Sequence, residues 1–380
     1  MRSGTNRGMS GRWAKLGLAS AWLVAGSAAI ANEPIVGPSP VAPPAEPAAI
    51  PEGVPPAGAD LLEPYRAHPG PHEFTSHAQS VTDRGRADPR VIRWIAYVPE
   101  LLPGDPPAPL VVVSQHFGHT AEGMTYLANH LASWGYVVAV VEHPSTNEES
   151  MALRDRNALP RALNVDNRIA NVQDLSVVIT EMSRAGRIET PVDLGRIAVV
   201  GHGFGSYTAL QLAGKRAETS RGPFHRLRDP RVRAVVSMSP DGTVFHGIDA
   251  ASFDHIEVPV LYMTGTQDRG RWTHNPSLRR EPYQYSAGSD QFLWIMREAQ
   301  THYFTDDELG DLRMPRPAGA HEDILAAVTA FLDAYLRADP IAHEWLVLDG
   351  PVSSSPIGIT FEHKRVRPFE EIERALENDR

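Results

Sequence analysis

The chain has 380 residues, of which 42% are hydrophobic, so it is long enough for one large core with extensions. It has no cysteine, which excludes disulfides, a thiol nucleophile and any metal site built on cysteine. The formal net charge of -10 argues against nucleic acid as the main partner.

The first thirty-one residues have the layout of an export signal. Basic residues precede a short apolar segment at 16–28, and residues 29–31 read Ala-Ile-Ala, a small-residue cleavage site. The apolar segment is too short to span a bilayer. We therefore expect a signal peptide over residues 1–31 that is cleaved near Ala31, giving a periplasmic or secreted protein with no membrane span. An uncleaved anchor is the less favoured alternative.

Residues 32–57 are rich in proline and alanine, which predicts an extended linker without a core. Strand and helix patterns then alternate from about residue 90, with the last strand expected at 292–296 and a closing helix at 324–336. Such alternation predicts the α/β class, with a mostly parallel sheet covered by helices on both faces and a ligand site at the carboxyl ends of the strands. We expect this domain to span residues 58–340, with an extension at 341–380 that holds a charged helix.

The segment 201–205 reads Gly-His-Gly-Phe-Gly, between an apolar strand pattern and a helical one. This is the layout of a G-x-S-x-G nucleophile elbow, in which serine occupies a strained turn between strand and helix. Gly203 stands at the serine position. The sequence therefore predicts the scaffold of a serine hydrolase without the atom that attacks.

Five segments in the same order resemble the α/β-hydrolase superfamily, and within it the predicted dienelactone hydrolases. That group is similar to platelet-activating-factor acetylhydrolases and bacterial cutinase-like esterases. The segments are 110–118, 126–138, 193–205, 258–268 and 292–304, and the resemblance covers about residues 90–340. It implies an α/β-hydrolase fold, carboxylic-ester hydrolysis, no cofactor, no metal, and a small-molecule ester or lipid-like ligand.

The resemblance assigns roles to two further side chains. Asp268, after the strand at 258–264, matches the acid that orients the catalytic histidine, and His302, after the strand at 292–296, matches the base. Asp241 is the alternative acid and His321 the alternative histidine. The same resemblance assigns the backbone N–H groups of Phe117 and Phe204 to the oxyanion hole.

The loop after the strand at 110–113 departs from the family, because Gln115 and His116 replace the expected His-Gly pair. His116 brings a side chain to a position where glycine allows any backbone conformation. We therefore expect the shape of the oxyanion hole to be changed.

No other residue is a convincing substitute for the absent serine. Ser206 lies one helical turn away and is expected to be a polar residue at the helix start, Ser114 is expected to be structural, and Ser239 is a weak candidate. His116, His119, His130 and His143 lie within one stretch, yet we expect them to be exposed or hydrogen-bonded rather than metal ligands.

Two hypotheses about function follow. The chain is either a carboxylic-ester hydrolase whose chemistry is impaired or altered, or a non-catalytic protein that binds an ester, acid or lipid-like ligand in the retained pocket. Retention of Asp268 and His302 favours the first, and the absent serine favours the second. A third alternative is that Gly203 is a point change of an original serine. In each case we expect Gly203→Ser to restore esterase activity.

Overall fold

The computed structural model describes residues 60–147, 157–184, 186–219, 222–243, 248–270, 273–306 and 315–378. The expected signal peptide at 1–31 and linker at 32–57 lie outside the described residues. Within these described ranges, no helix is both long and apolar enough to cross a bilayer.

A long sheet forms the centre of the domain. The strands of the described residues are β1 (Phe74–Asp83), β2 (Arg90–Pro99), β3 (Ala108–Ser114), β4 (Val137–Glu142), β5 (Val192–His202), β6 (Arg216–Thr219), β7 (Gly222–Arg226), β8 (Val232–Met238), β9 (Val260–Gly265), β10 (Gln291–Met296) and β11 (Ile359–Lys364). The sheet has the order β1-β2-β4-β3-β5-β8-β9-β10-β11, and β6 and β7 form a separate hairpin. Neighbours from β4 to β10 are parallel, whereas β1, β2 and β11 join antiparallel.

Helices cover both faces of this sheet. They are α1 (Thr125–Ser133), α2 (Ala158–Ala162), α3 (Val165–Met182), α4 (Phe204–Leu212), α5 (Glu281–Tyr285), α6 (Ala320–Leu332), α7 (Pro340–Val347), α8 (Gly350–Ser353) and α9 (Phe369–Asn378). Side chains of α1 and α6 pack in one core cluster, and those of α3 and α4 in the other. The predicted α/β class, with a mostly parallel sheet between helical layers, is confirmed.

Strand β3 shows why the two layers form. Each of its residues is buried. Because successive side chains of a strand point to opposite faces, Val111 and Val113 join the cluster with α1 and α6, while Leu110 and Val112 join the cluster with α3 and α4. A strand with two buried faces is therefore continuously apolar, as β3 is from Ala108 to Val113.

The C-terminal segment adds to the sheet. The expectation that β10 is the last strand is wrong, because β11 pairs antiparallel with it from Gln291↔Lys364 to Met296↔Ile359. The charged helix expected within 341–380 is α9, which buries Ile372 and Leu376 in the core. The segment after residue 340 thus packs against the domain, while the domain boundary itself stays a prediction.

Candidate active site

The elbow has the backbone form that a nucleophile elbow requires. Strand β5 ends at His202, helix α4 begins at Phe204, and Gly203 between them has φ 53° and ψ -112°. The outer glycines are needed for close backbone approach, because a Cβ on Gly205 would overlap the carbonyl of Ser114 and one on Gly201 would overlap that of Gly205. The turn is therefore retained although the serine is absent.

A cavity of about 470 Å³ opens above this turn. Its lining includes Gly203 and His302 together with three residues that sequence reasoning did not place there as a group, His116, His119 and His202. These residues follow the carboxyl ends of parallel strands, which is where ligands bind in open α/β sheets.

The imidazole of His116 lies directly over Gly203. The Phe204 amide, assigned to the oxyanion hole, donates a hydrogen bond to His116 Nδ1 at 2.9 Å. A Cβ on Gly203 would lie 2.9 Å from Cγ and 3.1 Å from Cε1 of this ring, and closer still to Nδ1, whereas real Cβ atoms keep beyond about 3.0 Å. The ring therefore occupies the space of the absent serine side chain.

Asp268 is fully buried but is not hydrogen-bonded to His302 in the part of the chain that the structure describes. Its carboxylate accepts hydrogen bonds from Thr264 Oγ1 at 2.8 Å and from Thr301 Oγ1 at 2.5 Å. Arg279 Nε lies 3.4 Å from Asp268 Oδ1. The acid that should orient the histidine is thus held by other partners.

Residues 97–336 match the model of the dienelactone hydrolase family. The chain belongs to this family. Its structure is similar to that of a ferulic acid esterase from Streptomyces cinnamoneus, with a TM-score of 0.55 and 20% sequence identity over 76% of this chain and 96% of the esterase. A search of curated proteins found no match. The fold is therefore the α/β-hydrolase fold of the dienelactone hydrolases.

In this member of the dienelactone hydrolase family, the alternative acid Asp241 belongs to a buried ion-pair network. Asp241 accepts from Thr273 Oγ1 at 2.8 Å and from Arg279 Nη1 at 2.7 Å. Arg279 is buried between Asp241 and Asp268, and therefore compensates both carboxylates. Sequence reasoning missed Arg279, because its partners come from two other loops.

His202 is held as a neutral ring at the cavity wall. Its Nε2 lies 3.0 Å from the carbonyl oxygen of Thr301 and must donate to it. Burial, and then the neighbouring His119, lower the pKa of His202 to about 3. Its role is therefore to support the loop that holds His302, in its uncharged form.

The remaining candidates lie elsewhere. His321 stacks on Tyr126 with ring centroids 3.8 Å apart, and burial lowers its pKa to about 4. Ser206 is fully buried and shares a 2.6 Å hydrogen bond with Ser237. Ser239 is also fully buried and does not line the cavity. None of these three residues reaches the elbow cavity.

A second Ser–His–Asp chain, which sequence reasoning missed, lies in the core. Ser114 Oγ is 2.9 Å from His143 Nε2, and His143 Nδ1 is 3.0 Å from Asp174 Oδ2. Ser114 and Asp174 are fully buried and His143 nearly so, and none of them lines the cavity. This chain joins the ends of β3 and β4 to α3 and is structural, as expected for Ser114.

Of the four neighbouring histidines, two are hydrogen-bonded in the core and two line the cavity. His130 Nε2 lies 3.1 Å from Thr329 Oγ1 between two helices, and His143 belongs to the chain with Ser114. His116 and His119 line the cavity. Among the described residues, no group of three or more His, Cys, Asp or Glu is arranged to hold a metal ion.

Proposed function

We propose that this member of the dienelactone hydrolase family binds a small carboxylic ester or carboxylic acid in the elbow cavity and does not form an acyl-enzyme. One observation carries the proposal: the His116 ring fills the space above Gly203 and engages the Phe204 amide. Loss of a triad nucleophile lowers turnover by about a million-fold in a comparable hydrolase. Here the His116 ring also stands where a serine side chain would lie and would have to shift to admit one.

The cavity suits an oxygen-rich ligand of small size. A volume of about 470 Å³ lies within the range of ligand pockets. The wall combines imidazoles with the guanidinium of Arg269, whose Nη1 donates to the carbonyl of His274 at 3.2 Å. The carboxylate of Asp241, which also lines the cavity, is paired with Arg279. N–H donors and a positive charge favour carbonyl or carboxylate oxygens.

A second candidate function is slow hydrolysis by water, and the position of His302 in the cavity favours it. In that reaction His302 removes a proton from water, the hydroxyl oxygen bonds to the carbonyl carbon, and the proton passes to the leaving alkoxide. The carboxylate of Asp268 accepts hydrogen bonds from Thr264 and Thr301, so we expect it to add little to the rate of this route.

The two candidates are separated by one experiment. The mature protein and His302→Ala are assayed with p-nitrophenyl butyrate, and binding of butyrate is measured by calorimetry. Binding without turnover supports the proposal. Turnover that His302→Ala abolishes supports the water route, and the absence of both binding and turnover refutes both functions.

We further propose that the protein is exported, on the strength of the basic and apolar pattern at residues 1–31. Expression of the full chain in a Gram-negative host, followed by N-terminal sequencing of the periplasmic fraction, tests this. A mature protein that begins just after Ala31 supports export, and a full-length cytoplasmic product contradicts it.

A further inference from the structure

The guanidinium of Arg279 has one nitrogen that its neighbours do not use. The side chain is only 3% exposed. Nη1 donates to Asp241 Oδ1 at 2.7 Å and to the carbonyl of Ser239 at 2.8 Å, and Nε lies 3.4 Å from Asp268 Oδ1. Within the described ranges, Nη2 donates to no residue. Its two N–H groups therefore remain for a ligand.

Asp241 has a matching unused oxygen. Its Oδ1 accepts hydrogen bonds from both Arg279 Nη1 and Thr273 Oγ1. Its Oδ2 accepts none from the part of the chain that the structure describes. Because Oδ2 shares Cγ with Oδ1, and Nη2 shares Cζ with Nη1, the two unused atoms flank the 2.7 Å contact between the side chains. The pair therefore offers a hydrogen-bond donor and an acceptor at one place.

Both atoms face the elbow cavity, which Arg279 and Asp241 line. Neither Nη2 nor Oδ2 is one of the buried, unpartnered side-chain atoms of the described residues, so each keeps accessible surface. Gly270 lines the same cavity, and a Cβ on it would lie 2.5 Å from Nη2. A glycine beside this nitrogen thus leaves the space that a ligand needs.

The charges around these atoms favour an uncharged group. Arg279 is paired with the carboxylates of Asp241 and Asp268, and Arg269 is the second arginine of the lining. Two guanidinium groups thus face two carboxylates, and a ligand carboxylate at this place would be repelled by Oδ2. A hydroxyl group both donates and accepts, so it is able to accept from Nη2 and to donate to Oδ2.

We propose that Asp241 and Arg279 form a subsite for hydroxyl groups of the ligand. The preferred ligand is then a carboxylic ester that carries free hydroxyls, as a partial ester of a polyol does. The inference rests on the proposed function, since it names the class of ester that the same cavity binds.

Two esters that differ only in their hydroxyls test this subsite by calorimetry. We expect glyceryl monobutyrate to bind about tenfold or more tightly than propyl butyrate, because hydrogen bonds to charged groups are among the stronger ones. Gly270→Ala places a methyl group against Nη2 and should abolish this preference without removing a charge. Gly85→Ala, at an exposed glycine outside the cavity, is the matched control and should keep it.

The outcomes separate this inference from the proposed function. Failure of the parent to bind either ester refutes both. Equal binding of the two esters by the parent refutes only the subsite, as does a preference that survives Gly270→Ala or is lost in Gly85→Ala. If Gly270→Ala does not fold, Asp241→Asn decides, because it keeps one oxygen for Arg279 and replaces the other by a donor. A lost preference in that variant supports the subsite, and an unchanged one overturns it.

Discussion

The sequence alone predicts that Gly203→Ser restores esterase activity, whereas the contact with His116 leads us to expect that a second change is needed. Gly203→Ser places a Cβ 2.9 Å from Cγ of His116, so the ring must move before the hydroxyl reaches its place. A displacement of about 1 Å in a catalytic group can cost about a hundredfold in rate. We therefore expect little esterase activity from Gly203→Ser alone and recovery when it is combined with His116→Gly, which reopens the loop and releases the Phe204 amide.

The expected rate of the double variant depends on the catalytic groups that it still lacks. In serine proteases the nucleophile is worth about a million-fold in turnover, and loss of the acid that assists the histidine costs about ten-thousand-fold. Because Asp268 is held by Thr264 and Thr301, the double variant should exceed the parent by only about a hundredfold. Adding Thr301→Val, which removes one competing donor, should raise the rate again.

Hydrolysis of p-nitrophenyl butyrate measures these rates, and labelling by a fluorophosphonate reports the introduced nucleophile. Ser114→Ala in the double variant is the control, since Ser114 lies outside the cavity and should not affect the rate. Equal activity of Gly203→Ser with and without His116→Gly would show that His116 does not obstruct the elbow. A folded but inert double variant would refute the assignment of His302 as the base that activates the introduced serine.

Three further predictions concern stability, each measured by urea unfolding. Burial lowers the pKa of His202 to about 3 from 6.5, so the free energy of unfolding falls as the pH drops from 6.5 towards 3. His202→Gln should remove about 1.4 kcal/mol per pH unit of that fall. If the free energies of unfolding of the parent and the variant run parallel over this pH range, the prediction is wrong. Burial likewise lowers the pKa of Lys215 to about 7 from 10.5. Lys215→Met should therefore stabilise the fold by about 2 kcal/mol or more at pH 7, and this gain should fade towards pH 10.5. A gain that persists at pH 10.5 would show that it does not come from the buried charge. Asp333 is buried and forms ion pairs with Arg66 and Arg337. Asp333→Asn should therefore lower the free energy of unfolding by about 3–5 kcal/mol. A loss below about 1 kcal/mol would show that solvent compensates these arginines.

The sequence by itself determined the fold class and the elbow. Alternating apolar patterns predict the core strands and helices because each segment must bury its own face, and that requirement is local. Gly201 and Gly205 are equally local signals, since their backbone approach leaves no room for a Cβ. Strand β11 escaped prediction because its pairing with β10 joins segments far apart in the chain, and its half-exposed pattern carries little signal.

Only the tertiary structure decided which side chains of the site contact and hydrogen-bond one another. The sequence marks His116 and Gly203 as two separate departures from the family, but their direct contact joins a loop after β3 to the end of β5. Likewise, it offers Asp268 as an acid without showing that Thr301 and Arg279 hold it. Hydrogen-bond partners depend on which distant side chains share a pocket, and a pattern of residue types along one segment does not contain that information.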